Sequence, residues 1–317
     1  MQSRDRFANS ILVRCLIAGL ALSMIGAHAD ARIVFESGTG WNLDIYVMDA
    51  DGGSHQRLTR DGARNRTASW SPNGWDIAFT SGKNGNDEIH VMTANGQNIR
   101  NLTRNPSSDE DPAWSPRGDR IAFSSNRDGG KYDIYVMDTD GRNLQKLTRN
   151  PWWEKKPSWS PRGERIVYVG VFQGSADIYV MDADGGKSKR IVRHLAYDSW
   201  PSWSPTGKRI AFTSNRDGNY EIYVMDPDGN IASNLTNNPA IDYCPSWSPD
   251  GQYLAFSSSR HGNINIYLME NDGGNVQRLT KNPRSNQHPS WSSVGFAISP
   301  AGRQPTMWGR LKSGDYD

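Results

Sequence analysis

The chain has 317 residues, with 36 Lys and Arg against 34 Asp and Glu, so its formal net charge is only +2. A balance this even argues against nucleic acid, which wants a basic face, and against general attraction to an anionic membrane. Two cysteines, Cys15 and Cys244, exclude a framework of several disulfides.

The first element in chain order is a leader. Arg4, Arg6 and Arg14 against Asp5 make a positive start, residues 15–27 are a short apolar run, and Ala27-His28-Ala29 is an A-x-A cleavage site. The run is too short for a typical membrane span, so residues 1–29 read as a secretory signal and the mature chain as periplasmic or secreted; the alternative is an uncleaved anchor. Cys15 follows Arg14 and lacks the small residue expected before a lipoprotein cysteine. Cleavage leaves 33 basic and 33 acidic residues, with Cys244 the only cysteine and no further apolar run of spanning length.

From residue 30 to 298 the chain repeats itself. Trp70, Trp114, Trp159, Trp203, Trp247 and Trp291 recur every 44 or 45 residues, and Ile-Tyr-Val-Met words such as those at 134–137 and 222–225 keep step. A fixed period in the low forties built of strand-like words marks a β-propeller with one four-stranded blade per repeat. In the repeat around Trp203, residues 201–204 read as inner strand A, and Pro205-Thr206-Gly207 as a tight turn. Residues 209–213 alternate as strand B, 215–219 form a polar B–C loop, and 221–225 are strand C. Asp228-Gly229 turns the chain, and 234–236 are outer strand D.

Five blades are complete. The chain opens with strands B, C and D alone, at 33–35, 45–47 and 57–59, and ends the repeats with a lone strand A at 290–292. The fold expected is therefore all-β, a six-bladed propeller closed by pairing N-terminal strands B–C–D with a C-terminal strand A. Closure leaves few open edges. Residues 299–317 stand outside the repeat as a tail, loop-like or with a short helix at 306–312.

The words Pro-Ser-Trp-Ser-Pro-x-Gly, Ile-Ala-Phe-x-Ser-Asn-Arg-Asp-Gly, Ile-Tyr-Val-Met-Asp and Leu-Thr resemble the repeat of TolB-like propellers over residues 32–294. Such proteins can carry an α/β domain before the propeller, and this chain runs almost straight from Ala29 into strand B. The better match is thus the class of stand-alone TolB-like propellers. That resemblance implies protein or ligand binding and no defined reaction.

Several constellations invite chemistry. Asp44, Glu88, Asp133, Asp177, Glu221 and Asn265 each precede strand C. Such a ring would suit Ca²⁺, but strand C is third from the axis, so a structural role in each blade is the expectation and no cofactor is assigned. The Asp-x-Asp-Gly words at 49–52 and its repeats imitate an EF-hand opening without its downstream Glu; they are hairpin turns. Gly185-Gly186-Lys187-Ser188 imitates a phosphate loop, but Met181 stands where the motif needs glycine. No Gly-x-Ser-x-Gly occurs, and His28, His55, His90, His194, His261 and His288 show no zinc spacing.

Where the repeats disagree, the shared structural demand is relaxed. Three residues before each repeat Trp stand Thr67, Asp111, Lys156, Trp200, Cys244 and His288; one earlier stand Arg66, Glu110, Lys155, Ser199, Tyr243 and Gln287. The D–A and B–C loops leave one face of a propeller, so these residues should rim the channel mouth. Aromatics gather there: Trp152, Trp153, Phe172, Tyr197 and Trp200, with Trp41 across the ring. Trp152, Trp153, Phe172, Tyr197, Trp200, Tyr243 and His288 are therefore the candidate ligand-binding residues, as one aromatic patch, whereas the repeat tryptophans belong to the core. The expected role is an exported, monomeric protein- or peptide-binding scaffold with a partner in the cell envelope. The alternatives are a carbohydrate-binding module, with indoles stacking on sugar rings, and a propeller hydrolase or lyase with a composite site.

Overall fold

The computed structural model describes residues 31–292 apart from 193 and 231. The leader at 1–29 and the tail at 299–317 lie outside the described residues. Six four-stranded antiparallel sheets form the fold. We number them as blades 1 to 5 (65–101, 109–146, 153–190, 198–234 and 242–278) and blade 6, which joins Ser285–Trp291 to Arg32–Thr39, Asn42–Asp49 and Gln56–Arg57. Blade 6 is the expected closure: Ile33 pairs with Trp291, Val34 with Ser290 and Ser37 with Asn286. Each strand A touches the next around the circle, including blade 6 against blade 1.

The strand words are nearly continuous in apolar residues because both faces of each sheet are covered. In blade 4, Glu221–Met225 is buried throughout. The cores lie between blades. Val167 and Ile178 of blade 3 pack with Trp203, Ile210, Phe212 and Met225 of blade 4, and five further clusters repeat this joint. Trp70, Trp159, Trp203, Trp247 and Trp291 are buried. The indole N–H of Trp159 donates to Ala113 O at 3.1 Å and that of Trp247 to Ser202 O at 3.2 Å, each in the strand A of the preceding blade. The A–B turn packs just as closely: Gly207 has φ +72, and a Cβ there would stand 3.2 Å from Pro161 Cγ of blade 3.

Two boundaries differ from the sequence reading. Strand D is two residues, Ser233–Asn234 in blade 4, and the Leu-Thr word follows it. There Thr236 turns back, and its hydroxyl accepts the Ile222 N–H at 3.0 Å. Thr59, Thr103, Thr148 and Thr280 do the same in their blades. The acidic or amide group expected before strand C lies within it and serves this corner: Asp44 accepts from the Thr59 hydroxyl at 3.0 Å and from Arg57 Nη2 at 2.6 Å, and Asn265 accepts from Thr280 at 3.1 Å. Strand A is longer than expected, starting at Asp198 in blade 4 rather than at 201. The residues assigned to the end of the D–A loop are therefore inside a strand.

Candidate binding site at the channel mouth

Strand A carries a bulge at one place in every blade. The register against strand B slips there, for example between Ser199 and Ser202 in blade 4. At the slip the backbone is left-handed in all six blades: φ is 47° at Thr67, 56° at Asp111, 57° at Lys156, 52° at Trp200, 55° at Cys244 and 53° at His288. A non-glycine residue rarely adopts this conformation unless its surroundings impose it. Here the N–H turned away from the ladder is taken by strand B of the preceding blade. Thr80 Oγ1 accepts from Asp111 N at 3.2 Å, Ser124 Oγ from Lys156 N at 3.1 Å, Thr213 Oγ1 from Cys244 N at 3.1 Å, and Ser257 Oγ from His288 N at 3.1 Å. In blade 6 the acceptor is a carboxylate, Glu36 Oε2, at 2.9 Å from Thr67 N. Val169 holds the equivalent strand B position before Trp200 and has no oxygen to offer.

The bulge aims all six side chains at the axis. They line one cavity of about 290 Å³, with the Pro and Ser residues of the inner strands below them. Trp200 reaches across it. Its ring lies 3.6 Å from Lys156 Nζ and 4.3 Å, centroid to centroid, from the imidazole of His288, two blades away. Lys156 Nζ also donates to Ser199 Oγ at 3.1 Å. Burial pushes this ammonium below its ordinary value, against the opposing pull of Asp111. His288 Nδ1 is 2.7 Å from Glu36 Oε1, which also accepts from Gln287 Nε2 at 2.7 Å. Burial alone would raise the Glu36 carboxyl, but the His288 ring and the Thr67 and Gln287 donors hold it below its ordinary value. Tyr243 donates its hydroxyl to Gln287 Oε1 at 2.5 Å and meets the His288 ring edge-on at 6.0 Å. Burial pushes the Cys244 thiol well up.

The positions one residue earlier form a belt between neighbouring blades. Glu110 of blade 2 lies 3.3 Å from Arg66 Nη2 of blade 1 and 2.8 Å from Lys155 Nζ of blade 3. It also accepts from the Tyr132 hydroxyl at 2.6 Å. Around this belt the B–C and D–A loops are stitched on one face: Asn219 Nδ2 donates to Asn238 O at 2.9 Å and Ala240 O at 2.7 Å.

The seven candidate residues fall into separate groups. Trp200 and His288 converge in the channel, and Tyr243 meets His288 from the belt between blades. Trp152 packs with Phe172 at 5.9 Å and Tyr179 at 6.3 Å, Trp153 with Tyr132 at 6.0 Å, and Tyr197 with Tyr220 at 6.2 Å. Among the described residues no ring contact joins these outer groups to Trp200. Trp153 and Phe172 are about half exposed, and Trp41 is exposed with Arg64 4.6 Å over its ring. The sequence reading overlooked Glu36, the one carboxylate among the strand B acceptors. Its signal was a charged residue in a strand word whose other copies read Thr80, Ser124, Val169, Thr213 and Ser257. Among the described residues no helix is long and apolar enough to cross a membrane.

A ring of six blades whose inner strands carry both a shared scaffold and blade-specific side chains defines a repeat propeller with a lined channel. The family model for the TolB beta propeller domain matches residues 29–129, 65–169, 105–199 and 130–306. The chain belongs to the TolB β-propeller family. Among solved structures it is similar to TolB from Acinetobacter baumannii, with 21% identity and TM-score 0.73 over 84% of this chain and 67% of that one. A TolB protein from Agrobacterium tumefaciens is 24% identical, with TM-score 0.68 over 81% and 91%. Hydrazine synthase from Kuenenia stuttgartiensis shares the fold at 16% identity and TM-score 0.71, over 83% of this chain and 46% of that one. Among curated proteins the comparison finds no match.

Proposed function

We propose that this propeller is an exported protein- or peptide-binding scaffold that seats its partner on the D–A/B–C face, over the channel mouth. The observation that carries the reading is the ring of six left-handed positions. One backbone solution, held in five of the six blades by a side-chain oxygen of the preceding blade, presents six different side chains to a single cavity. A scaffold that is uniform underneath and varied on top is suited to recognition. The half-exposed Trp153 and Phe172 on the same face add rigid apolar contact area around the mouth. An envelope location accords with the leader and with the family. Binding rather than catalysis is supported by the groups themselves. Burial keeps Cys244 a thiol, the opposite of an activated nucleophile.

The test is photo-crosslinking in envelope extracts, with the probe at Phe172 or Trp153 on this face and at Lys208 or Asp228 on the opposite one. Discrete adducts from the first pair alone are expected. Adducts confined to the second pair would move the site to the other face.

A further inference from the structure

Resting on that reading of the channel mouth, we propose that the cavity contains a carboxylate subsite. Lys156 is its counter-ion, and it receives an acidic side chain or a free C-terminal carboxylate of the bound peptide.

Lys156 differs from every other cation lining the inner face. Arg66 has Asp87 at 2.6 Å and Glu110 at 3.3 Å, Lys155 has Glu110 at 2.8 Å, and His288 has Glu36 at 2.7 Å. Among the described residues Lys156 has no carboxylate within ion-pair distance. Its ammonium has three N–H donors, one of which goes to Ser199 Oγ, while the Trp200 face lies beneath it at 3.6 Å. These contacts fix where the charge sits. They leave it without a paired carboxylate, with only the longer-range pull of Asp111, in a place where burial already works against the charged form. An arriving carboxylate would supply the missing partner, and the charged ammonium would gain in the bound state what it lacks in the free one.

The same geometry limits what the anion can be. The cavity, about 290 Å³, has room for one side chain or a chain end. Its lining includes a single lysine and no arginine, so the fork that suits phosphate is missing. Asp111, on the adjoining blade and also in the lining, pulls on Lys156 from beyond ion-pair distance and repels an incoming anion, most strongly one of higher charge. A singly charged carboxylate, with apolar neighbours resting on Trp200 and the proline rim, fits these constraints.

Three blocked peptides of equal length provide the test, titrated by calorimetry into the propeller. One has an internal Glu and an amidated end, one an internal Gln and a free carboxyl end, and one an internal Gln and an amidated end. At least one carboxylate peptide should bind about ten-fold or more tighter than the neutral one, the worth of one charge-assisted hydrogen bond. The two carboxylate arms tell side chain from chain end. Binding should shift the Trp200 indole resonance, assigned with Trp200→Phe, and Lys156→Gln should abolish the preference. Equal affinity of the wild-type protein for all three peptides, or no binding of either carboxylate peptide, overturns the proposal even if Lys156→Gln does not fold. A partner that crosslinks from Phe172 while these peptides are not distinguished would leave the scaffold reading standing and remove this subsite.

Discussion

Blades 3 and 4 adjoin in the ring and solve one problem in two ways. In blade 4, Asp198 opens strand A with no exposure, and Arg216 of the B–C loop meets it at 3.1 Å. The guanidinium also stacks 5.2 Å over Phe212 and 4.6 Å over Tyr223. Blades 2 and 5 repeat the pair with Arg127–Asp109 and Arg260–Asp242, both at 2.9 Å. Blade 3 puts the buried Glu154 in the acidic position and has no arginine in the loop, where the chain reads Gly170-Val171-Phe172. Trp152 covers the tyrosine instead, 6.3 Å from Tyr179. Gly170 makes room for this pair, since a Cβ there would stand 2.7 Å from Tyr179 Cε2 and 3.2 Å from Trp152 Nε1. An ion pair with a stacked guanidinium has been exchanged for an indole against the tyrosine and an acid that burial pushes toward neutrality. Trp152 thereby acquires a packing role within its blade, which distinguishes it from the half-exposed Trp153 beside it.

The largest effect is expected where blade 4 meets blade 3. Trp203 is buried in the core shared by the two blades, so Trp203→Ala should cost roughly 3–5 kcal/mol. Trp200 sits in the channel, and Trp200→Ala should lower the melting temperature far less while weakening any ligand held at the mouth. Denaturant unfolding of both variants checks this. If Trp200→Ala proves the more damaging, the indole across the channel is a structural plug.

Arg216→Ala comes next. It leaves the buried Asp198 charge unpaired, and losing one member of a buried pair costs roughly 3–5 kcal/mol. The lower end applies here because the Arg216 side chain keeps 15% exposure, so water can reach the gap. A loss under ~1 kcal/mol in urea unfolding would mean that blades 2, 4 and 5 do not depend on the pair, and the contrast with blade 3 would lose its meaning.

The repeat period, the closure and the buried tryptophans were legible in sequence because each follows from local words and their spacing. The bulge was not. Its left-handed residues are as different as Thr67 and His288, and what unites five of the six is an acceptor on the preceding blade. That acceptor, 31 residues upstream for Asp111, Cys244 and His288, appears in sequence only as a hydroxyl inside an otherwise apolar strand word. For the same reason Trp200 read as one member of an outer aromatic patch. Placing it one strand further in, facing Lys156 and His288, needed the length of strand A.

Val169→Thr would give blade 3 the acceptor that Thr80 and Thr213 supply elsewhere, aimed at the N–H of Trp200. The expected outcome is a gain of roughly 0.5–1.5 kcal/mol, the net value of one hydrogen bond, read as a higher denaturation midpoint. A loss would mean that the site has no room for an accepting hydroxyl, and that blade 3 departs from its neighbours in backbone as well as in side chains.

The smallest effect carries a pH signature. Burial raises the Glu154 carboxyl above its ordinary value of 4.5, and the nearby Asp133 charge adds to this. A folded state that holds a proton more tightly than the unfolded chain is stabilised by it below the unfolded value, and that stability is lost as pH rises through the folded one. Wild-type protein should therefore carry a penalty at neutral pH that is absent near pH 4. Glu154→Gln removes the titration and keeps an oxygen for Asn150 Nδ2, which donates to Glu154 Oε1 at 2.7 Å. The variant should be more stable than wild type by roughly 1 kcal/mol at pH 7, with the difference shrinking as pH falls toward 4.5. Asp198→Asn in blade 4 should do the reverse, because it takes the carboxylate away from the Arg216 guanidinium 3.1 Å from it: it should destabilise at pH 7. Paired unfolding curves for both variants at several pH values test the exchange directly, and curves that move in the same direction would show that Glu154 is served by a partner equivalent to Arg216.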